Sequence, residues 1–231
     1  RDGKGALVKS GTGLIWSGFR PSDDACTYGY LIPSNMFAVT VLGYLEKIER
    51  KIYGNGEIAE AAKALKEEVH TAIETIGKTF TEEFGMVYAY ETDGFGMYNL
   101  MDDANVPSLL AMNYLGYPSD KEVEANTRRL LLSEANPFYF KGAKAAGIGS
   151  PHTPSNYIWH IAMAVQGLTT GDREEKRRIL ENMAATTGGK GVMHEGFCCE
   201  DDTRYTREWF SWANAMYAEL FLNYLGYTLD K

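Results

Sequence analysis

Apolar residues recur at helical spacing along most of the chain, and they define two kinds of helix. Between Glu57 and Phe80 they fall three or four positions apart, and charged residues occupy most of the positions between them. The segment from Asn35 to Leu45 is instead apolar on nearly every side, as expected of a helix that is covered on both faces. The pattern therefore predicts one outer helix with a solvated face and one inner helix.

The same alternation continues towards the C-terminus and predicts seven helices in all. Two inner helices end in nearly the same sequence, NYLGYPSDK and NYLGYTLDK, in which Gly116 and Gly226 are placed to end a helix in the left-handed conformation. This echo indicates repeated helical hairpins and predicts an all-α fold, with inner helices around an axis and outer helices behind them. The remaining predicted helices are inner ones at Val106–Leu115, Tyr157–Leu168 and Glu208–Tyr224 and outer ones at Asp120–Leu132 and Asp172–Ala185.

The connections between these helices differ in length. Each inner helix is joined to the next outer helix by a short turn, whereas each inner helix is preceded by a long connection of about 20 residues, a length that is usually functional. In an alternating array the long connections lie at one end, so we expect their polar segments to meet at one mouth. These segments are GFRPSDD (18–24), DGFGMYNLMDDAN (93–105), GIGSPHT (147–153) and GVMHEGFCCEDDTRYTR (191–207).

The side chains of these segments suit acid–base hydrolysis of a sugar. Two carboxyl groups, one protonated and one ionised, are the general acid and base of glycoside hydrolysis, and aromatic, amide and guanidinium groups bind sugar rings. The candidate residues are Arg20, Asp23, Asp24, Asp102, Asp103, Asn105, His152, His194 and Glu195, together with the aromatic residues Trp16, Phe19 and Phe95.

Several of these candidates also have a purely structural interpretation. Asp23 and Asp24, with Ser22, can cap the helix that follows and offset its N-terminal dipole. Asp102 and Asp103 precede Pro107, which suits a first helical turn, so capping is the favoured interpretation there. His152 can be a turn residue. His70 and His160 lie within predicted helices and are expected to pack or to face water, whereas His194, beside Glu195 in a glycine-flanked loop, has less structural justification.

Charge and hydropathy exclude several classes of partner. The 231 residues carry a formal net charge of −8, which argues against a nucleic-acid or anionic-membrane surface. No uncharged apolar run reaches the roughly 18 residues of a membrane span, and the first ten residues lack the apolar centre of a signal peptide. With three cysteines, two of them adjacent, a disulfide framework is disfavoured, and we expect a reducing, cytoplasmic location.

Metal and nucleotide chemistry are also disfavoured. Glu195 follows a histidine, but no second histidine completes an HExxH motif, and Cys198 and Cys199 lack the spacing of a zinc site. The GxG at Gly11 has no third glycine, and no P-loop is present. We therefore expect neither a metal nor a cofactor.

At these same segments the sequence resembles glycoside hydrolase family 125, the exo-α-1,6-mannosidases. The resemblance implies an (α/α)6 toroid that removes terminal α-1,6-linked mannose from mannose-containing oligosaccharides, without a metal and with inversion at the anomeric carbon. It is carried by GLIWSGFRPSDDACTYGYLIPSNMFAVTVL (13–42), MDDANVPSLLAMNYLGY (101–117), GIGSPHTPSNYIWHIAMAVQGLTT (147–170), VMHEGF (192–197) and TREWFSWANAMYAEL (206–220).

The resemblance also implies roles for individual residues. The general acid falls in the RPSDD stretch, and the general base is Glu195. Asp23 and Asp24 both match the acid position, and Asp23 is chosen because related toroids place the acid first in an acidic pair. Arg20, Asn105 and His152 are expected to hold the sugar in the terminal subsite, and the further substrate-binding candidates are Asp24, Asp102, Asp103 and His194.

The chain departs from the family pattern in two respects. Gly196 stands where the family usually has serine, and His160 and Asn113 stand where it usually has proline. A twelve-helix ring also needs more helices than the seven predicted, and the chain begins at Arg1 rather than at a methionine. We therefore expect residues 1–231 to form one toroid glycosidase domain that is incomplete at its N-terminus, with the missing N-terminal fragment as a partner.

Three alternatives to this function remain open. A different exo-glycosidase or a phosphorylase can occupy the same fold, because fold alone does not determine the sugar. A phosphorylase would replace the water-activating carboxylate with a phosphate-binding cluster, so Glu195 argues against it. The chain can also be a non-catalytic glycan-binding toroid, in which case it would bind a mannoside without releasing mannose.

Overall fold

The computed structural model describes residues 5–227, which separate into two compact units. The first unit comprises the chain up to Leu100 together with Pro107–Arg129. The second comprises Met101–Val106 and the chain from Leu130 onward. Each unit is described by itself below. That residues 1–231 form a single glycosidase domain stays a prediction.

The prediction of an all-α (α/α)6 toroid was wrong. Helix accounts for 40% of the structure and strand for 15%, and the strands pair in several antiparallel sheets, so the fold is mixed α/β. Most strands lie in the long connections that the helical pattern left unassigned, but those at Lys78–Thr81 and Tyr157–Trp159 overlap predicted helices. All strands but one have only two to four residues, which is too short for a clear alternation of apolar and polar residues.

The first unit packs two long helices against short sheets. In chain order its elements are β1 (Tyr30–Leu31), α1 (Ile32–Ile48), a π-helical turn (Glu49–Tyr53), α2 (Gly56–Ile76), β2 (Lys78–Thr81), β3 (Gly85–Tyr88), β4 (Glu91–Thr92), β5 (Tyr98–Asn99) and α3 (Lys121–Leu131), whose last two residues belong to the second unit.

The predicted outer helix in this unit is confirmed as α2. Asn55 caps its N-terminus by accepting a hydrogen bond from the Ile58 N–H at 3.2 Å. Ala62, Val69 and Ile73 are buried as the periodicity predicts, whereas Ile58 and Leu65 are exposed. The helix ends at Ile76 because the chain then enters β2. The predicted inner helix is α1, but Phe37 and Val41 are exposed on it, so α1 is not covered on all sides.

In the first unit, β4 is the middle strand of a three-stranded sheet. Its order is β1–β4–β5, and all neighbours are antiparallel. Glu91 is paired with Leu31 on one side and with Asn99 on the other. The central strand therefore carries a glutamate that is entirely buried.

The second unit packs three helices against strands of its own. Its helix α4 contacts both α5 and α6, and Gly167 of α4 allows close contact because a Cβ atom there would lie 2.7 Å from Leu220. Its elements are β6 (Tyr139–Lys141), β7 (Ala146–Ile148), β8 (Tyr157–Trp159), α4 (His160–Leu168), α5 (Arg173–Ala185), β9 (Gly196–Cys198), β10 (Asp201–Thr206) and α6 (Ser211–Tyr224).

The sheet of the second unit has the order β8–β9–β10. Gly196 of β9 pairs with Trp159 of β8 on one side and with Thr206 of β10 on the other. The register of β10 shifts between Asp201 and Tyr205, which bends that strand. The residue that precedes β9 is therefore held beside the end of β10.

Six α-helices occur within residues 5–227, rather than the seven predicted. The segment predicted as a helix at Val106–Leu115 is a series of turns. One of its backbone hydrogen bonds, from Met112 N to Leu109 O, spans three residues, and another, from Leu115 N to Ala111 O, spans four. No continuous series of the four-residue bonds of an α-helix therefore forms. The predicted helix at 157 begins three residues later, because Tyr157–Trp159 is a strand.

The left-handed conformation predicted for Gly116 and Gly226 is confirmed, but only Gly226 follows a helix, because the residues before Gly116 form turns. Gly116 and Gly226 have φ angles of 85° and 93°, and the tyrosine after each donates its N–H to the carbonyl five residues earlier. The last four residues of the second echo lie outside the described residues. Among the helices of the described part, none is both long and apolar enough to cross a membrane.

Candidate active site

The first candidate segment folds as a hairpin immediately before β1, referred to below as the 17–29 hairpin. Its arms are joined by backbone hydrogen bonds, from Ser17 N to Gly29 O at 2.8 Å and from Cys26 N to Gly18 O at 3.0 Å. The sequence predicted only a long polar connection here. The hairpin instead gives the predicted acid a defined position.

The tip of the hairpin is a three-residue loop that ends at Asp23. Arg20 N donates to Asp24 O at 2.8 Å, and Asp23 N donates to Arg20 O at 3.0 Å. Asp23 has a φ of 67°, in the left-handed region that such loops usually fill with glycine. An aspartate kept in this conformation costs stability, and strain of this kind favours a functional role for the residue.

The capping interpretation of this segment was wrong. Helix α1 begins at Ile32, its N-cap residue is Leu31, and no side chain caps it. The Ser22 hydroxyl instead donates to Asp24 Oδ2 at 2.7 Å. Asp23 is exposed, and among residues 5–227 its carboxyl group forms no hydrogen bond or ion pair.

Arg20 is held by a buried partner that was not among the predicted site residues. Its Nε lies 2.7 Å from Oε1 of Glu91, with 7% and 0% of the two side chains exposed, and its guanidinium lies over the ring of Tyr90. A buried ion pair is maintained only when the remaining acceptor sites are also satisfied. Glu91 meets this condition, because its carboxylate also accepts from Thr27 N at 3.1 Å, Tyr28 N at 3.3 Å and Asn99 Nδ2 at 3.0 Å.

Glu91 therefore connects both arms of the 17–29 hairpin to the β1–β4–β5 sheet. The thiol of Cys26, on the second arm, also hydrogen bonds to Glu91. Burial and then the charge of Glu91 raise the pKa of Cys26 to about 12, so its thiol stays protonated and unreactive. In the sequence, Glu91 is marked only as a single carboxylate that follows the apolar residues 86–90.

The predicted base, Glu195, lies in the second unit just before β9. Its side chain is 8% exposed, and Arg207 Nε contacts Glu195 Oε1 at 3.1 Å. Arg207 also has a left-handed backbone, with a φ of 43°, and its carbonyl accepts from Glu195 N at 3.4 Å. Among the described residues Oε2 of Glu195 has no hydrogen-bond partner, so this oxygen remains available to a water molecule.

His194 is enclosed beside this carboxylate. None of its surface is exposed, its ring stacks on Tyr205 with centroids 4.0 Å apart, and its Nδ1 donates to the carbonyl of Glu208. Its Nε2 is buried without a hydrogen-bond partner in the described part of the chain. These contacts give His194 a packing role, and its predicted contact with substrate stays a prediction.

His160, at the start of α4, anchors the backbone of this segment. Its Nε2 lies 3.2 Å from the Thr186 hydroxyl, which donates its own proton to the carbonyl of Asn182 and must therefore accept from His160. The Nδ1 atom is consequently unprotonated and accepts from His194 N at 3.1 Å. Burial lowers the pKa of His160 to about 4, which keeps the ring neutral near pH 7.

Asp102 and Asp103 are buried at the start of the second unit. Asp103 Oδ1 accepts from both the backbone N and the Nδ2 of Asn105, at 3.2 Å each, and Asp102 N donates to Asn136 Oδ1 at 3.3 Å. No α-helix follows them, so the favoured capping interpretation was wrong here as well. A bond from Ala104 N to the carbonyl of Gly149 joins this segment to the 147–153 segment at 3.1 Å.

His152 is exposed in the 147–153 segment. Its ring meets the edge of Trp159 with centroids 6.4 Å apart, and Trp159 Nε1 donates to Thr153 Oγ1 at 2.9 Å. Because Trp159 belongs to β8, the sheet holds the 147–153 segment beside the strand that follows Glu195. His152, Glu195 and their supporting residues therefore share the second unit.

The structure assigns the predicted residues to two groups. Arg20, Asp23 and Asp24 lie in the first unit. The second group, in the second unit, contains Asp102, Asp103, Asn105, His152, His194 and Glu195. That the two groups line one mouth stays a prediction. Among residues 5–227, no set of three or more His, Cys, Asp and Glu side chains is arranged to hold a metal ion.

Comparison with known proteins identifies the family. The family model described as metal-independent alpha-mannosidase (GH125) matches residues 1–222 of the chain. The chain belongs to this family. The resemblance inferred from the sequence is therefore confirmed.

Two relatives of the family illustrate how far the similarity extends. The meiotically up-regulated gene 157 protein of Schizosaccharomyces pombe is 42% identical over 225 residues, which cover 96% of this chain and 44% of that protein. A metal-independent alpha mannosidase of Streptococcus pneumoniae, solved as a non-productive complex with alpha-1,6-mannobiose, is 49% identical with a TM-score of 0.96. That match covers 99% of this chain and 54% of the solved one, so the chain spans about half the length of these relatives.

Proposed function

We propose that the chain carries the general acid and the general base of an inverting, exo-acting α-1,6-mannosidase. The observation that carries the proposal is the match, at a TM-score of 0.96 and 49% identity, to an alpha mannosidase solved with alpha-1,6-mannobiose. The substrate class follows from that relative. The roles of the individual residues follow from the chemistry of the two carboxylates described above.

Glu195 is the general base in this proposal. Arg207 holds Oε1, and Oε2 accepts a proton from the water that attacks the anomeric carbon. Fixing one oxygen of the carboxylate orients the other, which matters because a base acts only within hydrogen-bond distance of the proton that it removes. The His160–His194 hydrogen bond keeps the backbone of Glu195 in place during this step.

Asp23 is the general acid. It gives its proton to the glycosidic oxygen as the bond to the anomeric carbon breaks, and the positive charge that develops on the sugar is neutralised when water adds. Attack by water on the face opposite the leaving group inverts the anomeric centre, so an α-mannoside yields β-mannose first. Arg20, Asn105 and His152 hold the terminal mannose.

The experiment is incubation of the chain with α-1,6-mannobiose, with free mannose and its anomeric form followed by proton NMR. We expect β-mannose to appear before mutarotation, and a longer α-1,6-mannan to lose single mannose units from its non-reducing end. Initial release of α-mannose would contradict inversion, and release of oligosaccharides would contradict exo action.

Variants test the two carboxylates. Glu195→Gln and Asp23→Asn should each lower kcat by about 10²- to 10⁴-fold, the range for loss of a general acid or base, with mannobiose binding retained. Asp24→Asn is the matched control beside Asp23 and should retain far more turnover. Near-normal turnover by Glu195→Gln would make the base assignment wrong, and binding without any release by the wild-type chain would favour a glycan-binding function.

A further inference from the structure

The first unit contains a pocket, lined by both arms of the 17–29 hairpin and by two residues that precede it, that none of the proposed catalytic roles uses. Its volume is about 420 Å³, within the range of about 300–1,000 Å³ that is typical of small-molecule sites. The lining residues are Gly5, Trp16, Gly18, Phe19, Ala25, Cys26 and Thr27.

Trp16 is held rigidly at this pocket. A Cβ atom at Gly5, Gly18 or Gly29 would lie 2.8, 3.0 or 2.7 Å from an atom of the indole, so only glycine at these positions lets the ring pack against the backbone. Half of the Trp16 surface (50%) nevertheless remains exposed. An aromatic ring that is fixed before binding loses little conformational entropy when a ligand stacks on it.

Phe19 adds a second exposed ring to the same pocket. It is 65% exposed, although it sits on a hairpin arm whose backbone pairs with Ala25. Exposed aromatic side chains that share a concave surface are typical of binding sites, because water leaves such surfaces readily. Trp16 and Phe19 therefore both line this pocket with rings that are at least half exposed.

The chemistry of the lining indicates a neutral ligand. None of the seven lining residues carries a charge, and Cys26 contributes a thiol that stays protonated because burial raises its pKa to about 12. Aromatic rings, with the hydroxyl of Thr27 at the edge, suit the apolar C–H face and the hydroxyl groups of a sugar ring. A phosphate or a carboxylate would find no cation in this lining.

The position of the pocket identifies which sugar it would take. Gly18 and Phe19 lie on the arm before the hairpin tip and Cys26 on the arm after it, so the lining residues flank Asp23. A general acid protonates the oxygen that joins the terminal sugar to the next one. Both sugars adjoin this oxygen, and because the terminal mannose is assigned to Arg20, Asn105 and His152, the pocket suits the sugar on the leaving-group side.

We propose that Trp16 and Phe19 form the subsite that stacks the leaving-group sugar of an α-mannoside. This inference rests on the proposed function for the identity of the sugar. It adds a contact beyond the terminal mannose and so predicts that a disaccharide binds better than mannose.

The test measures binding rather than turnover. In the Glu195→Gln background, mannose and α-1,6-mannobiose are titrated by calorimetry into chains with and without Trp16→Ala. We expect Trp16→Ala to weaken mannobiose binding by about fivefold to tenfold, the range for loss of one aromatic stacking contact, and to leave mannose binding unchanged. Trp16→Phe keeps a ring on the glycines and should restore most of the affinity.

A matched pair of phenylalanines controls for general effects of removing an exposed ring. Phe19 and Phe80 are 65% and 68% exposed and both belong to the first unit, but Phe80 lies in β2, away from the pocket lining. Phe19→Ala should weaken mannobiose binding, whereas Phe80→Ala should not. These two variants and Trp16→Phe keep the test decisive if Trp16→Ala fails to fold.

The outcomes separate this inference from the proposed function. Mannobiose binding that is unchanged in Trp16→Ala, Trp16→Phe and Phe19→Ala would overturn the subsite. Equal losses for mannose and mannobiose would also overturn it, because the rings would then contact the terminal sugar. If the wild-type chain releases no mannose, the proposed function fails, while the comparison of the two ligands still decides the subsite.

Discussion

The two predicted catalytic carboxylates lie in opposite environments. Asp23 is exposed at the tip of a hairpin without a side-chain partner among the described residues, whereas Glu195 is nearly buried and held by Arg207. Acid–base catalysis needs two carboxyl groups whose surroundings differ, since one must keep its proton while the other stays ionised. The difference shows that the same type of side chain is held in two ways, Asp23 by the backbone of its hairpin and Glu195 by an ion pair.

Backbone strain is common to both environments. Three non-glycine residues of the described part have a positive φ, and two of them are Asp23 and Arg207, the partner of Glu195. Strained backbone persists where the surrounding structure holds it in place. Each carboxylate is thus supported by its own set of contacts, and each set can be disrupted separately.

The largest expected effect is at the anchor of the 17–29 hairpin. Glu91→Ala removes one partner of a buried ion pair and leaves Arg20 without its carboxylate, which should lower the free energy of unfolding by about 3–5 kcal/mol. Urea denaturation followed by circular dichroism measures the change. The double variant Arg20→Met/Glu91→Leu should recover part of the loss, because no uncompensated charge remains, although Thr27 N, Tyr28 N and Asn99 Nδ2 still lack their acceptor. A double variant as unstable as Glu91→Ala would contradict this explanation.

The next effect concerns the support of Glu195 and depends on pH. The pKa of His160 is lowered by burial from 6.5 to about 4, so the unfolded chain binds more protons between these values. Stability is therefore fully present above about pH 6.5 and falls as the pH drops towards 4, by about 3 kcal/mol from this residue. Thermal unfolding across this range measures the loss.

His160→Asn is the matched variant for this dependence. Its amide oxygen can accept from His194 N without titrating, so the loss of stability between pH 6.5 and 4 should be smaller while kcat is largely retained. His160→Leu has no acceptor, and it should lose about 1–3 kcal/mol of stability together with part of kcat. An unchanged pH dependence in His160→Asn would exclude His160 as its source.

A smaller effect is expected at the contact that orients the base. Arg207→Ala frees Glu195 Oε1, and because the Arg207 side chain is 62% exposed we expect little change in stability. The oxygen that receives the proton loses its alignment, so kcat should fall about tenfold with KM nearly unchanged. Steady-state kinetics on α-1,6-mannobiose tests this, with Arg177→Ala as an exposed arginine control in the same unit.

The smallest effect is a gain in stability at the acid. Asp23→Gly relieves the left-handed strain at φ 67° and should stabilise the chain by about 1 kcal/mol while removing turnover. Asp23→Asn, which tolerates the same conformation, should be inactive with less gain in stability. A destabilised Asp23→Gly variant would mean that the aspartate contributes contacts rather than strain.

The helical part of the fold was largely predictable from sequence because its signals are local. The periodicity of α2 and the left-handed conformation of Gly116 and Gly226 depend on residues within a few positions of one another. The strands were missed because nearly all have only two to four residues, and β1 and β8 in addition pair with segments far away along the chain. The helix predicted at 106–115 rested only on a run of apolar residues. Such a run does not distinguish a helix from turns, because either can bury the same side chains.

In the candidate site as well, residues in local motifs were predicted, and residues that depend on distant contacts were not. The motifs that surround Asp23 and Glu195 are contiguous in sequence, so they were found. Glu91 was not found, because its partners lie 71 and 64 residues away along the chain and only folding brings them together. Arg207 lies in the same polar segment as Glu195. Its contact with Glu195 depends on how β10 pairs with β9, including a shift of register, and the sequence carries no signal for that pairing.

The three cysteines provide a means of following each unit by itself. All are unpaired and buried, with Cys26 in the first unit and Cys198 and Cys199 in the second. Burial raises the pKa of Cys26 and of Cys199, so an alkylating reagent meets little thiolate in the native chain. The order in which these thiols are labelled under mild denaturant, read by peptide mass, would report which carboxylate loses its scaffold first.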